Sequence, residues 1–311
     1  MKHLSRSRTT KLLTAAPIFA LLTFGAMPAR ANSTVVVSPP NMDGWTFDLT
    51  NSLGTPPNSC IPSTSGGCIG AMVFGPGTPP LGVGSARLAT PPNPPPGGPG
   101  GDQSAQIRNS DYAGVRLSQL TELSFCTWMT DNSPNGQQFP YLTLFLNLSG
   151  NATGATDDEI FFEPPYQNHS SGNPALPDQG TAQLTTWQCW NALEGGWWSN
   201  NSIAGANPGT GVQSLATYQG VEPNAVIVNP STGPGGVRLA VGFASGDDHF
   251  DGNVDKVIIG VNGVSTTYDF EPLSPAPTNA DQCKKNGWMQ FNNPSFSNQG
   301  QCVSFVEHQK H

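Results

Sequence analysis

Three stretches of the chain carry residue types able to do chemistry. The first, Asp158-Glu159-Ile160-Phe161-Phe162-Glu163, places three carboxylates within one short segment. On a strand, where side chains alternate, Glu159, Phe161 and Glu163 share a face, and the two glutamates stand ~13 Å apart along it. Hydrolysis of a glycosidic bond needs two carboxyls at ~5–5.5 Å (retaining) or ~6.5–9.5 Å (inverting). A flat strand therefore holds Glu159 and Glu163 too far apart to be catalytic. The alternative is an acid-edged strand whose Phe162 faces the core.

The second stretch, Asp247-Asp248-His249-Phe250-Asp251-Gly252-Asn253-Val254-Asp255, spaces Asp247, Asp251 and Asp255 like the ligands of a calcium loop, with Gly252 at the turn. Calcium prefers such oxygen clusters. However, His249 replaces an oxygen ligand and Ile258 stands where an EF-hand has its bidentate Glu, so this is not an EF-hand. The competing reading is an Asp/Gly-rich turn with Asp255 on the exposed face of a strand. The third stretch is aromatic: Trp197 and Trp198 lie in Gly195-Gly196-Trp197-Trp198-Ser199-Asn200-Asn201, with Trp187, Trp190, Tyr166 and Tyr218 nearby in the chain. Flat rings stack on the apolar faces of sugars, and amide side chains complete such sites. Trp197, Trp198, Tyr166 and Tyr218 are the candidate ligand-binding residues, and core packing is the alternative for each.

Other chemistries find little support. Downstream of residue 31 there are four histidines, of which His308 and His311 sit at the tail, and no G-x-S-x-G elbow occurs. Zinc is disfavoured because there is no CxxC pair and His169 and His249 are isolated.

The ends indicate where these residues work. Lys2, Arg6, Arg8 and Lys11 precede an apolar run from Leu12 to Ala26 and then Ala29-Arg30-Ala31, which has the organisation of a secretory signal cleaved after Ala31. The run is short for a bilayer span, which needs ~20 apolar residues. The expected product is secreted, with no membrane span. The whole chain has a formal charge of −8; without residues 1–31, eight Lys+Arg remain against 21 Asp+Glu, giving −13. Such a surface repels the phosphates of nucleic acid, which disfavours nucleic acid as a partner. Charged residues are only 11% of the chain, while Gly (36) and Pro (30) are abundant, so Asn, Ser, Thr and Gln must supply much of the polar surface. That composition suits an extracellular β protein with long loops.

An exported protein meets an oxidising compartment, and six cysteines favour three disulfides. Cys60 and Cys68 flank a Pro/Ser/Gly loop, Cys283 and Cys302 bracket a short terminal segment, and Cys126 and Cys189 are left to join two strands. The expected pairs are Cys60–Cys68, Cys126–Cys189 and Cys283–Cys302.

These residues must be held by strands. Trp45-Thr46-Phe47-Asp48-Leu49 alternates apolar and polar residues, and similar patterns recur at 84–90, 104–109, 121–130, 140–149, 158–163, 181–192, 225–229, 236–244, 254–261 and 266–270. Nothing of helical period and useful length competes. Leu142, Leu144, Leu146 and Leu148 share one face of their strand, and Val237, Leu239, Val241 and Phe243 share one face of theirs. Each face should bury against a second sheet. Asn262-Gly263 marks a hairpin between the last two strands. Residues 89–101 are nearly all Pro and Gly and are read as a loop. Residues 273–311 form a linker and a tail too small to fold without its disulfide.

Phe250-Asp251-Gly252-Asn253-Val254-Asp255-Lys256-Val257, followed by Tyr268-Asp269-Phe270-Glu271, resembles the closing strands of jelly-roll domains of the concanavalin A-like, carbohydrate-binding type. That resemblance implies an antiparallel β-sandwich whose last strand pairs beside the first; the sandwich domain is drawn as 32–272, with its strands from about residue 41. The segment 158–163 is similar to the E-x-D-x-x-E strand of sandwich-fold glycoside hydrolases, but Phe161 stands where that motif has its middle Asp. The segments Asp281-Gln282-Cys283 and Gln301-Cys302-Val303 resemble a cysteine motif that ends many secreted bacterial proteins.

The expected protein is an all-β sandwich of jelly-roll type with a disulfide-closed tail. Its expected function is secreted, non-catalytic binding of an extracellular glycan or matrix component, with calcium as a candidate ion. The alternatives are a glycoside hydrolase or lyase using Glu159 and Glu163, and a structural surface protein with Trp197 and Trp198 buried and no concave face.

Overall fold

The computed structural model describes residues 32–50, 68–90, 104–133, 136–243, 249–273, 276–291 and 294–308. The expected export signal, Cys60, Asp247 and most of the Pro/Gly run lie outside them. The described strands are β1 (Ser33–Val37), β2 (Trp45–Thr50), β3 (Ile69–Phe74), β4 (Gly84–Thr90), β5 (Ser104–Asn109), β6 (Leu120–Asp131), β7 (Tyr141–Asn147), β8 (Asp158–Phe162), β9 (Gln188–Asn191), β10 (Trp198–Ser199), β11 (Val226–Ile227), β12 (Val237–Gly242), β13 (Phe250–Val261) and β14 (Val264–Phe270). The described residues also include two α-helices, α1 (Leu215–Val221) and, beyond the last strand, α2 (Gln299–His308).

The strands form two sheets, and the fold is an all-β sandwich. One sheet runs β1-β14-β13-β4-β3, with β6 and then β9 on the other side of β13; the second runs β10-β8-β7-β12-β5-β2, with β11 also against β7. Binary patterning explains the packing. Leu142, Leu144 and Leu146 of β7 and Val237, Leu239 and Val241 of β12 are buried in one core with Leu123 and Phe125 of β6 and Val254, Val257 and Ile259 of β13. Fully burying each such side chain contributes roughly 1.5–3 kcal/mol. β7 is buried on both faces, because Tyr141, Thr143 and Phe145 on its other side are covered as well.

Asn262 (φ +53°) and Gly263 (φ +81°) form the expected tight turn between β13 and β14. β14 ends beside the first strand, as the resemblance implied, but that strand is β1 and the pairing is parallel. The strand expected to come first, β2, pairs with β5 in the other sheet. Residues 33–37 do not alternate, and they become a strand because the edge of β14 offers them a ladder. β3 and β10 likewise arise from pairing to β4 and β8 rather than from a pattern of their own. Ala89 and Thr90, read as the start of the Pro/Gly loop, belong to β4. The expected strand 181–192 is reduced to β9, and α1 is a helix the strand pattern did not reveal, capped by Ser214, whose side chain accepts from the Thr217 N–H.

β13 holds β4 along residues 250–254 and β14 along 257–261, so a seam opens between the ends of those two strands. Asp255, fully buried, closes it: its carboxylate accepts from the Leu81 N–H (2.9 Å) and the Phe270 N–H (3.2 Å). Beside it Glu271 accepts from the Val83 N–H (2.7 Å) and the Gly84 N–H (3.2 Å). Burial pushes both acids up to about 7.

Cys126 and Cys189 lie directly opposite one another on β6 and β9 and are bonded. Cys283 and Cys302 are bonded across the tail, where Val306 completes a small core with Trp288, Phe291, Phe296 and Phe305 packed against it. Cys68 is disulfide-bonded. No described helix is long and apolar enough to cross a membrane.

Candidate functional site

A pocket of about 330 Å³ opens on the face of the second sheet turned away from the core. It is built on a row of directly opposed residues that crosses four strands: Trp198 (β10), Phe161 (β8), Thr143 (β7) and Arg238 (β12). Glu159 precedes Phe161 by two positions on β8 and Glu163 follows it by two, so alternation puts all three side chains on this face. Both glutamates line the pocket, together with Tyr141, Asn200, Gln138 and Phe243.

The β10 segment is short and is fastened by side chains. Gln167 clamps Gly196 through both backbone groups, accepting from its N–H and donating to its carbonyl, each at 2.9 Å. Gly195 must be glycine, since a Cβ there would stand 2.3 Å from the Phe162 ring. On the other side, buried Asp158 accepts from the Ser199 hydroxyl (2.6 Å) and the Asn201 N–H (3.1 Å), while the Asn200 N–H donates to the Glu159 carbonyl (2.9 Å). These bonds hold Trp198 stacked on Phe161, with ring centroids 4.1 Å apart and planes 13° from parallel. At the opposite rim, Gln138 donates to the Gly242 carbonyl and accepts from its N–H, which presents Phe243 to the pocket.

Electrostatics divide the two acids. The Arg238 Nη2 approaches Glu159 Oε2 at 3.4 Å and donates to Thr143 Oγ1 at 3.2 Å. The guanidinium also lies over the rings of Phe145 (4.6 Å) and Phe243 (5.1 Å). A cation over an aromatic face is stabilised by the ring quadrupole. Burial raises the Glu159 pKa and Arg238 pulls it back. Burial pushes Glu163 up to about 7, and the main group opposing that is the Trp198 indole, whose Nε1 is buried without a hydrogen bond of good geometry. Burial raises the Tyr141 phenol, the Arg238 charge opposes this, and the two glutamates add to the rise.

The sequence-derived candidates meet different fates. Glu159, Glu163 and Trp198 are brought together. Trp197 points the other way: it is fully buried, packs edge-on against Phe162, and donates from Nε1 to the Ala192 carbonyl (2.8 Å). Neighbours on an extended chain face opposite sides, so a Trp-Trp pair cannot put both rings in one pocket. Tyr218 is buried in α1. Tyr166 lies close enough to Glu163 to feel its charge but does not line the pocket. Asp251 is paired with Arg87 at 2.8 Å and Asp255 with backbone N–H groups, so these two are not brought together. No group of three or more His, Cys, Asp or Glu among the described residues is arranged to hold a metal.

Arg238, Tyr141, Phe161 and Phe243 were not identified as site residues from sequence. One signal was present, because Arg238 interrupts the apolar run Val237-Arg238-Leu239-Ala240-Val241 on a strand destined for burial. A charge in such a place needs a partner, and that partner is the site. No family model matches the chain, and no curated protein matches it.

Proposed function

We propose that this is an exported, non-catalytic glycan-binding protein related to the jelly-roll, concanavalin A-like domains, and that the pocket on the second sheet receives the sugar. One observation carries the reading: the Trp198–Phe161 stack forms an aromatic wall between the Glu159 and Glu163 carboxyls, with the amides of Gln138 and Asn200 also lining the pocket. Its volume lies at the small end of the ~300–1,000 Å³ of small-molecule sites, which suits one or two sugar rings. Export rests on the n-region, apolar run and A-x-A site of the first 31 residues.

The test is a glycan array followed by calorimetry with the glycans retained. Replacing Trp198 by Ala should weaken binding about 10–100-fold, the loss of one stacked ring. Retention of no glycan, or equal binding by the variant, refutes the reading.

A hydrolase is the second reading, favoured by two carboxyls of unequal environment in one pocket. Against it, the acids are four residues apart on one strand face, with Phe161 between them. Release of reducing ends from a glycan, lost in both Glu159→Gln and Glu163→Gln, would replace binding by catalysis.

A further inference from the structure

We propose that the pocket selects a cationic ligand, a glycan carrying protonated primary amines, with Glu163 as the group that receives the ammonium. This rests on the glycan reading above and specifies the ligand's chemistry.

The argument begins with which charges the pocket presents. The pocket holds two carboxyls and one guanidinium, but the guanidinium is sunk beneath it: the Arg238 side chain is 4% exposed, against 26% for Glu159. Its Nε is buried and without a partner, so that edge is closed to a ligand. Arg238 thus compensates Glu159 from below and offers little surface to an anion. Glu163 has no such compensation, because no described basic side chain pairs with it, and the group that most opposes the effect of its burial is the neutral Trp198 indole. A half-buried carboxylate without a cation is costly, and an incoming ammonium offsets that cost directly. The surrounding rings favour the same sign, as Arg238 itself shows by lying over Phe145 and Phe243. The chain's overall charge of −8 adds attraction at longer range.

The titratable and charged groups around Glu163 are Glu159, Arg238, Tyr141 and Tyr166. Burial pushes Glu163 up to about 7, so its charge changes between pH 5.5 and 8.5. Ammonium binding requires its carboxylate, so affinity for an amine should rise with pH. A neutral sugar that accepts a hydrogen bond from protonated Glu163 would show the opposite trend.

The experiment uses matched probes, 2-aminoethyl glucoside and 2-hydroxyethyl glucoside, with ethylammonium as the amine lacking a sugar, by calorimetry at pH 5.5 and 8.5. The amine of the glucoside stays mostly protonated over this range, although its β-oxygen lowers it below the ~10.4 of lysine. The aminoethyl glucoside should bind about tenfold or more tighter than the hydroxyethyl one at pH 8.5, with the gap shrinking at pH 5.5 and disappearing in Glu163→Gln. The pH dependence in the unaltered protein stands independently of whether that variant folds. Equal binding of the two glucosides at both pH values, or a preference that survives Glu163→Gln, overturns the proposal and leaves the glycan reading in place. Binding of ethylammonium as tight as the aminoethyl glucoside supports Glu163 as the ammonium receptor and overturns the glycan part. Binding of no probe overturns the proposal.

Discussion

Replacing Asp255 by Asn tests the seam in the first sheet. The Asp255 carboxylate is 0% exposed, and burial moves its pKa from the usual 3.8 to about 7. The folded protein therefore prefers the protonated acid. The associated stability is fully present below the unfolded pKa of 3.8 and is lost as pH rises through about 7. At 1.36 kcal/mol per unit, the full loss is roughly 4 kcal/mol, of which about 2–3 kcal/mol falls between pH 5 and pH 8. Asn keeps the shape but cannot ionise, and it leaves one of the two N–H donors, from Leu81 or Phe270, without its acceptor. That loss costs about 1–3 kcal/mol at pH 5. Urea unfolding of both proteins at unit steps of pH should show the gap between them closing or inverting by pH 8. Glu271 titrates in both proteins, so most of its effect cancels in the difference. Parallel profiles, with a gap constant to about 0.5 kcal/mol, would show that Asp255 does not titrate in this range and would refute the reasoning.

Three further perturbations separate structure from site. Trp197→Ala should cost about 3–5 kcal/mol in urea unfolding, since the ring is fully buried, whereas Trp198→Ala should cost roughly 1–2 kcal/mol and act mainly on binding. Arg238→Met leaves Glu159 without its counter-charge; because Glu159 is partly exposed the loss should be about 1–3 kcal/mol at pH 8 and smaller at pH 5, where Glu159 can take up a proton, as read by urea unfolding at both values. Removing the Cys283–Cys302 bond by serine substitution should release about 3 kcal/mol of loop constraint and expose the tail to limited proteolysis while the sandwich persists.

Alternation was sufficient to reveal β7, β12 and the β13–β14 hairpin, because one face of each strand had to leave water and the turn chemistry was local. Spacing also gave the Cys283–Cys302 bond, and Cys126–Cys189 followed as the remaining pair. β1, β3 and β10 were not legible, since each is a strand only by virtue of the neighbour that supplies its hydrogen bonds. α1 was missed because a two-turn helix carries too few residues to show a period.

The candidate site divides in the same way. The chain alone put Glu159, Phe161 and Glu163 on one face and marked Trp197 and Trp198 as possible platforms. It could not say which indole faces outward, because that depends on Trp198 pairing with Phe161 and Gln167 holding Gly196. Nor could it bring Arg238, some eighty residues further along, under Glu159. Pattern and spacing determined the strongly alternating strands and which side of each is apolar, since these follow from short-range sterics and solvent. Charge compensation and the ring stack were decided only by tertiary structure, because strand order and register alone bring distant residues within a few ångströms.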